Sequence, residues 1–380
     1  MANYTGAHPA SPQNAAGLAD ISGYNRPSER YPAAMLELIA HVVKISARRD
    51  RTEINSAMVD ALMDLFNPQR LTIYRCYSGH RKSVVFACAG SGPQGQFLRN
   101  AYLPDHRFCQ TIERDPLLRQ CHKELSAVID FLEDGTHRII FPVIRLDEPI
   151  YFIDLELTDE FSADQRVTLM GLIEYFGNHI ALLDYGEADT LTGLSSRKTF
   201  DKHLFELLGQ AATDRMLGES GWKRRQGPPN SNHWLAVCDI DHFKQINDNH
   251  GHLIGDEVLI MLSQVMRQAF RFDDQLFRFG GEEFVALLQP TDQNSAQAVL
   301  ERFRTDVEQT VFSRVGHVTV SVGFSKLLPN DTPTDVIDRA DEALYYAKRN
   351  GRNRVDGYEQ LIASNKLAAR EIAKGEVELF

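Results

Sequence analysis

Three short segments place carboxylates, cations and glycines where strands or helices should end. The first is Cys238-Asp239-Ile240-Asp241-His242-Phe243-Lys244, an apolar run that passes straight into acids. A carboxylate at the end of a buried strand needs a cation beside it, because burying an unpaired charge is costly. The second is Arg278-Phe279-Gly280-Gly281-Glu282-Glu283-Phe284. Two glycines between apolar strands predict a tight hairpin tip without side chains, against whose backbone a bulky ligand could lie. Adjacent Glu282 and Glu283 should then point to opposite faces of the strand and have different tasks. Asp239 with a glutamate from the neighbouring hairpin offers hard oxygen donors suited to magnesium with bound phosphates. Taken singly, the same residues would read as surface carboxylates beside a turn.

The third segment is Ala347-Lys348-Arg349-Asn350-Gly351-Arg352-Asn353. A helix is expected to end at Asn350-Gly351, leaving the compact cation of Lys348 and the forked one of Arg352 at its end. These suit a triphosphate, although a basic C-terminus also complements the helix dipole with no ligand at all.

Further motifs accompany these in a fixed order: Asp189-x-Leu-Thr-Gly-Leu194 before them, Asn247-Asp248 and Gly251-His252-x-x-Gly255-Asp256 between the first and second, then Ser321-Val-Gly323 and Ala340-Asp341-x-Ala-Leu-Tyr-x-Ala-Lys348. The combination resembles the GGDEF family of diguanylate cyclases, in its Gly-Gly-Glu-Glu-Phe form, over about residues 185–357. The resemblance implies condensation of two GTP into cyclic di-GMP and two pyrophosphates, with magnesium or manganese as cofactor. Asp239 and Glu282 would be side-chain metal ligands and the Ile240 carbonyl a third. Asn247 and Asp256 would read guanine, since an amide pairs with acceptor and donor edges and a carboxylate accepts from N–H groups. Phe243, Lys244, Lys348 and Arg352 would complete the substrate site, the cations holding phosphates, and Gly280 and Gly281 would admit the nucleotide. Glu283 would be a base or a second metal-site acid. Arg271-Phe-Asp-Asp274, five residues before the glycines, matches the family's inhibitory product site, with Arg271 on guanine and phosphate and Asp274 accepting from the guanine edge. A related cyclase forming cyclic GMP, or a receptor that only binds GTP or cyclic di-GMP, are the rival readings. Damage to the metal or guanine positions would favour the receptor, and none is present.

Such residues must be held by a sheet backed by helices. Trp234–Ile240 reads as a buried strand, 256–269 as a helix, 275–279 with 283–288 as a hairpin, 295–311 as a helix, 318–324 as a strand and 334–349 as a helix. That order is ferredoxin-like, usually an antiparallel sheet with helices on one face. Ahead of it, Ser196–Leu208 predicts a helix, and the polar stretch Gly209–His233 a disordered insertion.

Ser162–Tyr185 predicts one long helix, with Ser162 as N-cap. Leu169, Ile173, Phe176, Ile180 and Leu183 form a heptad seam, expected to pair with a second copy, the alternative being packing on its own domain. Upstream, a helical pattern over Pro32–Phe66 is followed by strands at 70–77, 83–89, 138–145 and 150–157, the last two joined by a turn at Leu146–Pro149. The expected fold class is α+β throughout. The expected divisions are a disordered lead-in (1–31), a sensory domain (32–161), a signalling and dimerisation helix (162–188), the ferredoxin-like cyclase domain (189–357) and a tail (358–380). The sensory domain resembles GAF domains, chiefly in its hairpin, with a PAS-like fold as alternative, and its ligand or partner is unknown.

Composition sets outer limits. With 43% apolar residues and 24% charged, the 380-residue chain has material for more than one core, which excludes a wholly disordered chain. No run approaches the length of a membrane span, and no signal pattern opens the chain, so a cytoplasmic protein is expected. The five cysteines make an odd number without a Cys-x-x-Cys pair, as for reduced thiols. Cys109 and Cys121 near His106 and His122 match no zinc spacing. Lys and Arg number 41 against 52 Asp and Glu, a net charge of −11. From the sum alone a polyanionic ligand is not expected, and no nucleic-acid partner is, yet a site answers to charges within a Debye length, not to the sum.

Overall fold

A computed structural model describes residues 33–77, 83–102, 104, 108–133, 135–158, 162–216 and 232–368. The expected lead-in, the turn at 78–82, most of the expected insertion and the end of the tail lie outside them.

The N-terminal body opens with two helices, α1 (Ala33–Ser46) and α2 (Arg51–Phe66), where the sequence pattern suggested one stretch. The break has a local cause: the Asp50 side chain accepts from the N–H groups of Thr52 and Glu53 and so starts a new helix. Strands β1 (Arg70–Tyr77), β2 (Val84–Gly92), β3 (Gly95–Leu98), β4 (Cys109–Thr111), β5 (Val128–Phe131), β6 (His137–Arg145) and β7 (Glu148–Leu157) form one sheet, with helix α3 (Pro116–Glu124) between β4 and β5. The order is β3-β2-β1-β7-β6-β5, with β4 on β2. Leu146 and Asp147, both with positive φ, make the two-residue turn of the β6–β7 hairpin.

Helix α4 (Ala163–Glu187) follows, started by a complete capping box between Ser162 and Gln165. Its expected seam is corrected here. Leu169, Ile173, Phe176 and Ile180 are buried in the N-terminal body's own core, beside Ile54, Met58, Ile73 and Ile153, with Leu183 packed at the edge. The periodicity recorded intramolecular packing. The face of α4 left outside carries Val167, Met170, Leu182 and Tyr185, and α1 exposes Met35, Ile39 and Val43.

The C-terminal body comprises β8 (Ser195–Ser196), α5 (Arg197–Met216), β9 (Asn232–Ile240), α6 (Phe243–His250), α7 (His252–Ala269), β10 (Gln275–Gly280), β11 (Glu283–Thr291), α8 (Gln293–Gln309), the small hairpin β12 (Val311–Phe312) and β13 (Gly316–His317), β14 (Val320–Lys326), α9 (Pro333–Arg349), β15 (Val355–Gly357) and α10 (Tyr358–Ala363). The sheet order is β15-β14-β9-β11-β10-β8. Its four long strands are antiparallel in the ferredoxin-like arrangement, with β8 and β15 added in parallel at the two edges.

Helices cover both faces of this sheet, where one was expected. Trp234, Ala236 and Cys238 face α7 and α8 through Val258, Leu262, Leu300 and Phe303. Leu235 and Val237 face α5 and α9 through Phe200, Leu204, Val336 and Ala340. The unbroken apolar run of β9 is the sequence counterpart of burial on two faces. Two further boundaries move. Helix α5 continues through 209–216, the start of the stretch expected to be disordered, and α10 packs Tyr358 and Leu361 onto Ala343, so the tail begins as part of this body. No helix among the described residues is long and apolar enough to cross a membrane.

The two bodies touch. Lys202 of α5 donates to Asp50 at 2.6 Å, Asn100 to Glu206 at 3.3 Å, and the Gln275 amide to the Tyr102 carbonyl. Arg51, almost wholly buried, pairs with Asp184 and Glu187 near the end of α4. The Tyr77 and Phe272 rings lie 5.3 Å apart. A cavity of about 990 Å³ lies between the bodies, lined among others by Arg75, Tyr77, Tyr102, His203 and Asp274.

Candidate active site

Strand β9 carries Asp239 to the sheet's end, where it pairs in register with Glu283 of β11 on one side and Ser321 of β14 on the other. Asp239 is only 5% exposed, and its Oδ1 lies 2.8 Å from the Lys348 ammonium. Helix α9 brings that lysine close because β14 has a glycine beneath it: a Cβ on Gly323 would lie 2.0 Å from the Leu344 nitrogen and 2.2 Å from the Ala340 carbonyl oxygen. The glycine lets the helix backbone rest directly on the strand.

The β10–β11 tip differs from the expected Gly-Gly turn. Gly280 still pairs with Glu283, so the loop residues are Gly281 and Glu282. Glu282 therefore sits on the turn, and the alternation expected of adjacent strand residues does not apply to it. Gly281 has φ of +51°, a left-handed conformation that suits glycine. Nothing lies within 4 Å of a Cβ built on either Gly280 or Gly281, so this backbone faces open space.

The carboxylates here are undercompensated. Burial pushes Asp239 above its ordinary value, Lys348 pulls it back and Asp241 adds to the rise. Burial likewise raises Glu282, with Asp239 and Glu283 contributing and Lys348 opposing. Asp341 of α9, which the sequence reading did not single out as a site residue, is pushed up to about 6 by burial, then by Glu283. Its signal was its place on the same helical face as Lys348, seven residues or two turns before it. Carboxyls that burial, and secondarily neighbouring carboxylates, hold back from ionising are what a divalent cation would relieve. Among the described residues there is no cluster of three metal-ligating side chains. The Asp239 and Glu282 carboxylates are hard oxygens of the kind that magnesium takes.

Of the expected guanine readers, Asn247 lies on α6 and Asp256 on α7, the two helices that follow β9. A Cβ on Gly255 would lie 2.0 Å from Asn247 Oδ1 and 3.3 Å from Phe243 Cζ. The bare Gly255 thus makes room for the Asn247 amide where α6 and α7 meet, and Asp256 follows it at once. Lys244 and Arg352 are exposed at the same end.

Arg271 and Asp274 share the turn after α7. Asp274 Oδ2 accepts from the Arg271 N–H at 3.1 Å and Oδ1 from the Gln289 N–H at 3.0 Å. Burial pushes Asp274 up to about 6. One oxygen is thus already engaged by each neighbouring strand or turn, and Phe272, between the two, and Gln275, next to Asp274, also touch the N-terminal body.

Two positioning residues escaped the sequence reading although their motifs were noted. Asp189 accepts from the Thr192 N–H and hydroxyl and from Arg278 at 3.1 Å. Arg278 also donates to the Gly281 carbonyl at 2.8 Å, so one guanidinium joins the end of the connecting segment to the glycine turn. The other is Asp241, buried beneath the site, which accepts from Thr319, Ser321 and Asn353. An acid just beyond a strand's end gives no sign in the sequence of what it will meet 80 or 112 positions later.

Comparison with known proteins finds relatives of the C-terminal body. Residues 187–354 match the family described as diguanylate cyclase, GGDEF domain. The chain is similar to diguanylate cyclase DgcP of Pseudomonas aeruginosa, 39% identical over 171 residues, which are 44% of this chain and 23% of that protein. It is also similar to diguanylate cyclase A of Treponema denticola, 35% identical over 182 residues, 47% of this chain and 46% of that one. The chain thus spans less than half the length of these curated relatives. Among solved structures, the GGDEF domain of DgcB from Caulobacter crescentus, crystallised with c-di-GMP, is 35% identical, covering 46% of this chain and 96% of that chain with a TM-score of 0.39. The stretch of this chain that carries the GGDEF-family match is thus residues 187–354, the body that holds Asp239, Glu282 and Lys348.

Proposed function

We propose that this protein is a diguanylate cyclase that condenses two GTP into cyclic di-GMP and two pyrophosphates. The observation that carries the reading is the junction of Asp239, Glu282 and Lys348 beside the open Gly280-Gly281 backbone, with Asn247 and Asp256 at the same sheet end. Asn247 and Asp256 orient the guanine, while Lys244, Lys348 and Arg352 hold the phosphates. Asp239, Glu282 and the Ile240 carbonyl would hold magnesium or manganese, which when bound neutralises charge that builds on the phosphates. Glu283, on the strand beside Asp239, is placed to accept the proton of the attacking 3′-hydroxyl or to assist at the cation. That hydroxyl attacks the α-phosphorus of the second GTP, and pyrophosphate leaves in line.

One such site holds one GTP, so two copies of the domain must face each other, and holding them together converts a dilute encounter into a positioned reaction. With the heptad positions of α4 buried at home, the outer stripe Val167, Met170, Leu182 and Tyr185, with Met35, Ile39 and Val43 of α1, is the surface we assign to the second copy. The N-terminal body is read as a GAF-like sensory domain. Its contacts with Phe272 and Gln275 support regulation through the segment that also carries the product site, Arg271 and Asp274.

The test is purified full chain with GTP and magnesium, product resolved by chromatography, beside Asp239→Ala and Glu282→Ala. Cyclic di-GMP is expected from the parent protein, with a loss of at least about 100-fold in each variant, and sedimentation of the active preparation should show dimers. GTP binding without cyclic di-GMP would favour a receptor, and cyclic GMP as product would identify the one-GTP cyclase.

A further inference from the structure

Asp241 lies two residues beyond Asp239 and is equally buried, yet it serves a different set of partners. Its N–H donates to the Thr319 carbonyl at 2.9 Å. Its Oδ1 accepts from the Ser321 hydroxyl at 2.7 Å, and its Oδ2 from the Thr319 hydroxyl at 2.7 Å and from the Asn353 N–H at 3.0 Å. Three donors converge on one side chain, which a carboxylate can satisfy because it is acceptor-only.

The Asn353 contact is the informative one. Gly351, Arg352 and Asn353 have φ of +108°, +58° and +44°, three successive left-handed residues of which two are not glycine. Side chains with a Cβ seldom hold that conformation, and a run of them persists only where surrounding contacts over-determine it. The Arg352 N–H donates to the Ala347 carbonyl at 3.1 Å, which closes the helix end. The Asn353 side chain is gripped from α8, accepting from Arg304 and donating to Glu308, each at 2.8 Å. The Asn353 backbone is gripped by Asp241. The end of the strand that carries Asp239 is therefore tied to the turn that carries Arg352.

We propose that Asp241 is a positioning residue for the GTP phosphates: by accepting the Asn353 N–H it fixes the left-handed turn that aims Arg352. This rests on the reading above that Arg352 binds phosphate. Ser321 and Thr319 seat the carboxylate, and Asp241 itself touches no substrate.

A double-mutant cycle on the full chain tests it, with GTP kinetics and the affinity for a non-hydrolysable GTP analogue as readouts. Asp241→Ala should raise KM and the analogue's Kd about tenfold with kcat within about twofold, and should add nothing in an Arg352→Ala background. Asp241→Asn should recover most of the loss, because its carbonyl can keep the Asn353 N–H while the Ser321 hydroxyl turns to accept. Unchanged KM in a folded Asp241→Ala protein, a loss in kcat alone, or equal losses in both backgrounds would overturn the proposal. If Arg352→Ala itself leaves KM and Kd unchanged, the phosphate reading has failed and not merely this extension of it. Should Asp241→Ala melt below the assay temperature, Asp241→Glu, which keeps the charge at the wrong reach, replaces it with the same expectations.

Discussion

The two bodies bury charge in opposite ways. In the N-terminal sheet, Arg138 of β6 lies between Asp154 of β7 and Asp115 at the start of α3, with N–O distances of 2.8 and 2.6 Å. Burial raises Asp115, but the Arg138 hydrogen bond and two helix N–H groups outweigh it and hold the carboxyl below its ordinary value. At the end of the C-terminal sheet, Lys348 pairs with Asp239 and acts on Glu282, and both carboxyls are pushed up instead, first by burial. A satisfied cluster cements structure. A crowded one stores an electrostatic demand that something from outside must meet, which is why strained titration marks functional sites more often than ion pairs do.

The comparison can be broken from its stronger side first. Arg138→Met strands two part-buried carboxylates, and should cost about 3–5 kcal/mol in chemical unfolding, as removal of one partner of a buried pair does. A loss under about 1 kcal/mol would place the triad with surface pairs, which contribute little. On the other side the expectation is loss of function with little loss of fold. Gly255→Ala puts a methyl where Asn247 Oδ1 now lies, and a side-chain end can swing away cheaply. KM for GTP should rise about tenfold with the melting temperature nearly unchanged; unaltered GTP kinetics would detach Asn247 from guanine.

The smallest effect is in pH. Because Asp239 and Glu282 are raised, they take up protons before ordinary carboxyls, so the acid limb of kcat/KM should lie above the range of about 4 typical of such groups. Lys348 opposes both rises, so Lys348→Met should move that limb further up. Stability carries the opposite sign at the same site. A carboxyl raised in the folded state favours folding once protonated, a contribution present below its unfolded value and lost as pH rises through its folded one. Asp115, being lowered, contributes stability above the ordinary value that is lost as pH falls through its folded value. An acid limb that does not move in Lys348→Met would remove Lys348 from the electrostatics of the site.

How much of this was legible followed the range of the interactions. Strand β1 could be read at its observed limits because its alternation is local, and Ser162 because a capping box is contained in four residues. The hairpin residues and Lys348 could be grouped because the motifs come in a fixed order. The seam on α4 was read in the right residues and given the wrong partner, since periodicity reports that a face is buried and not against what. The second helical layer on the C-terminal sheet had a sign in the unbroken apolar run of β9, outweighed by the usual one-faced form of the strand order. Asp241 and the Asp189–Arg278 link depend on meetings across 112 and 89 positions, for which side-chain type gives no direction.

Arg278 has a mechanical corollary. One planar guanidinium holds Asp189 on one side and the Gly281 carbonyl on the other, and Asp189 is anchored again by Thr192. A rigid fork with both prongs engaged removes the hinge between its partners. The segment leaving α4 and the glycine turn are in that sense one part, like a handle cast in one piece with its blade. The end of the connecting segment and the backbone that borders Glu282 are thus set by one side chain, so the two are oriented together.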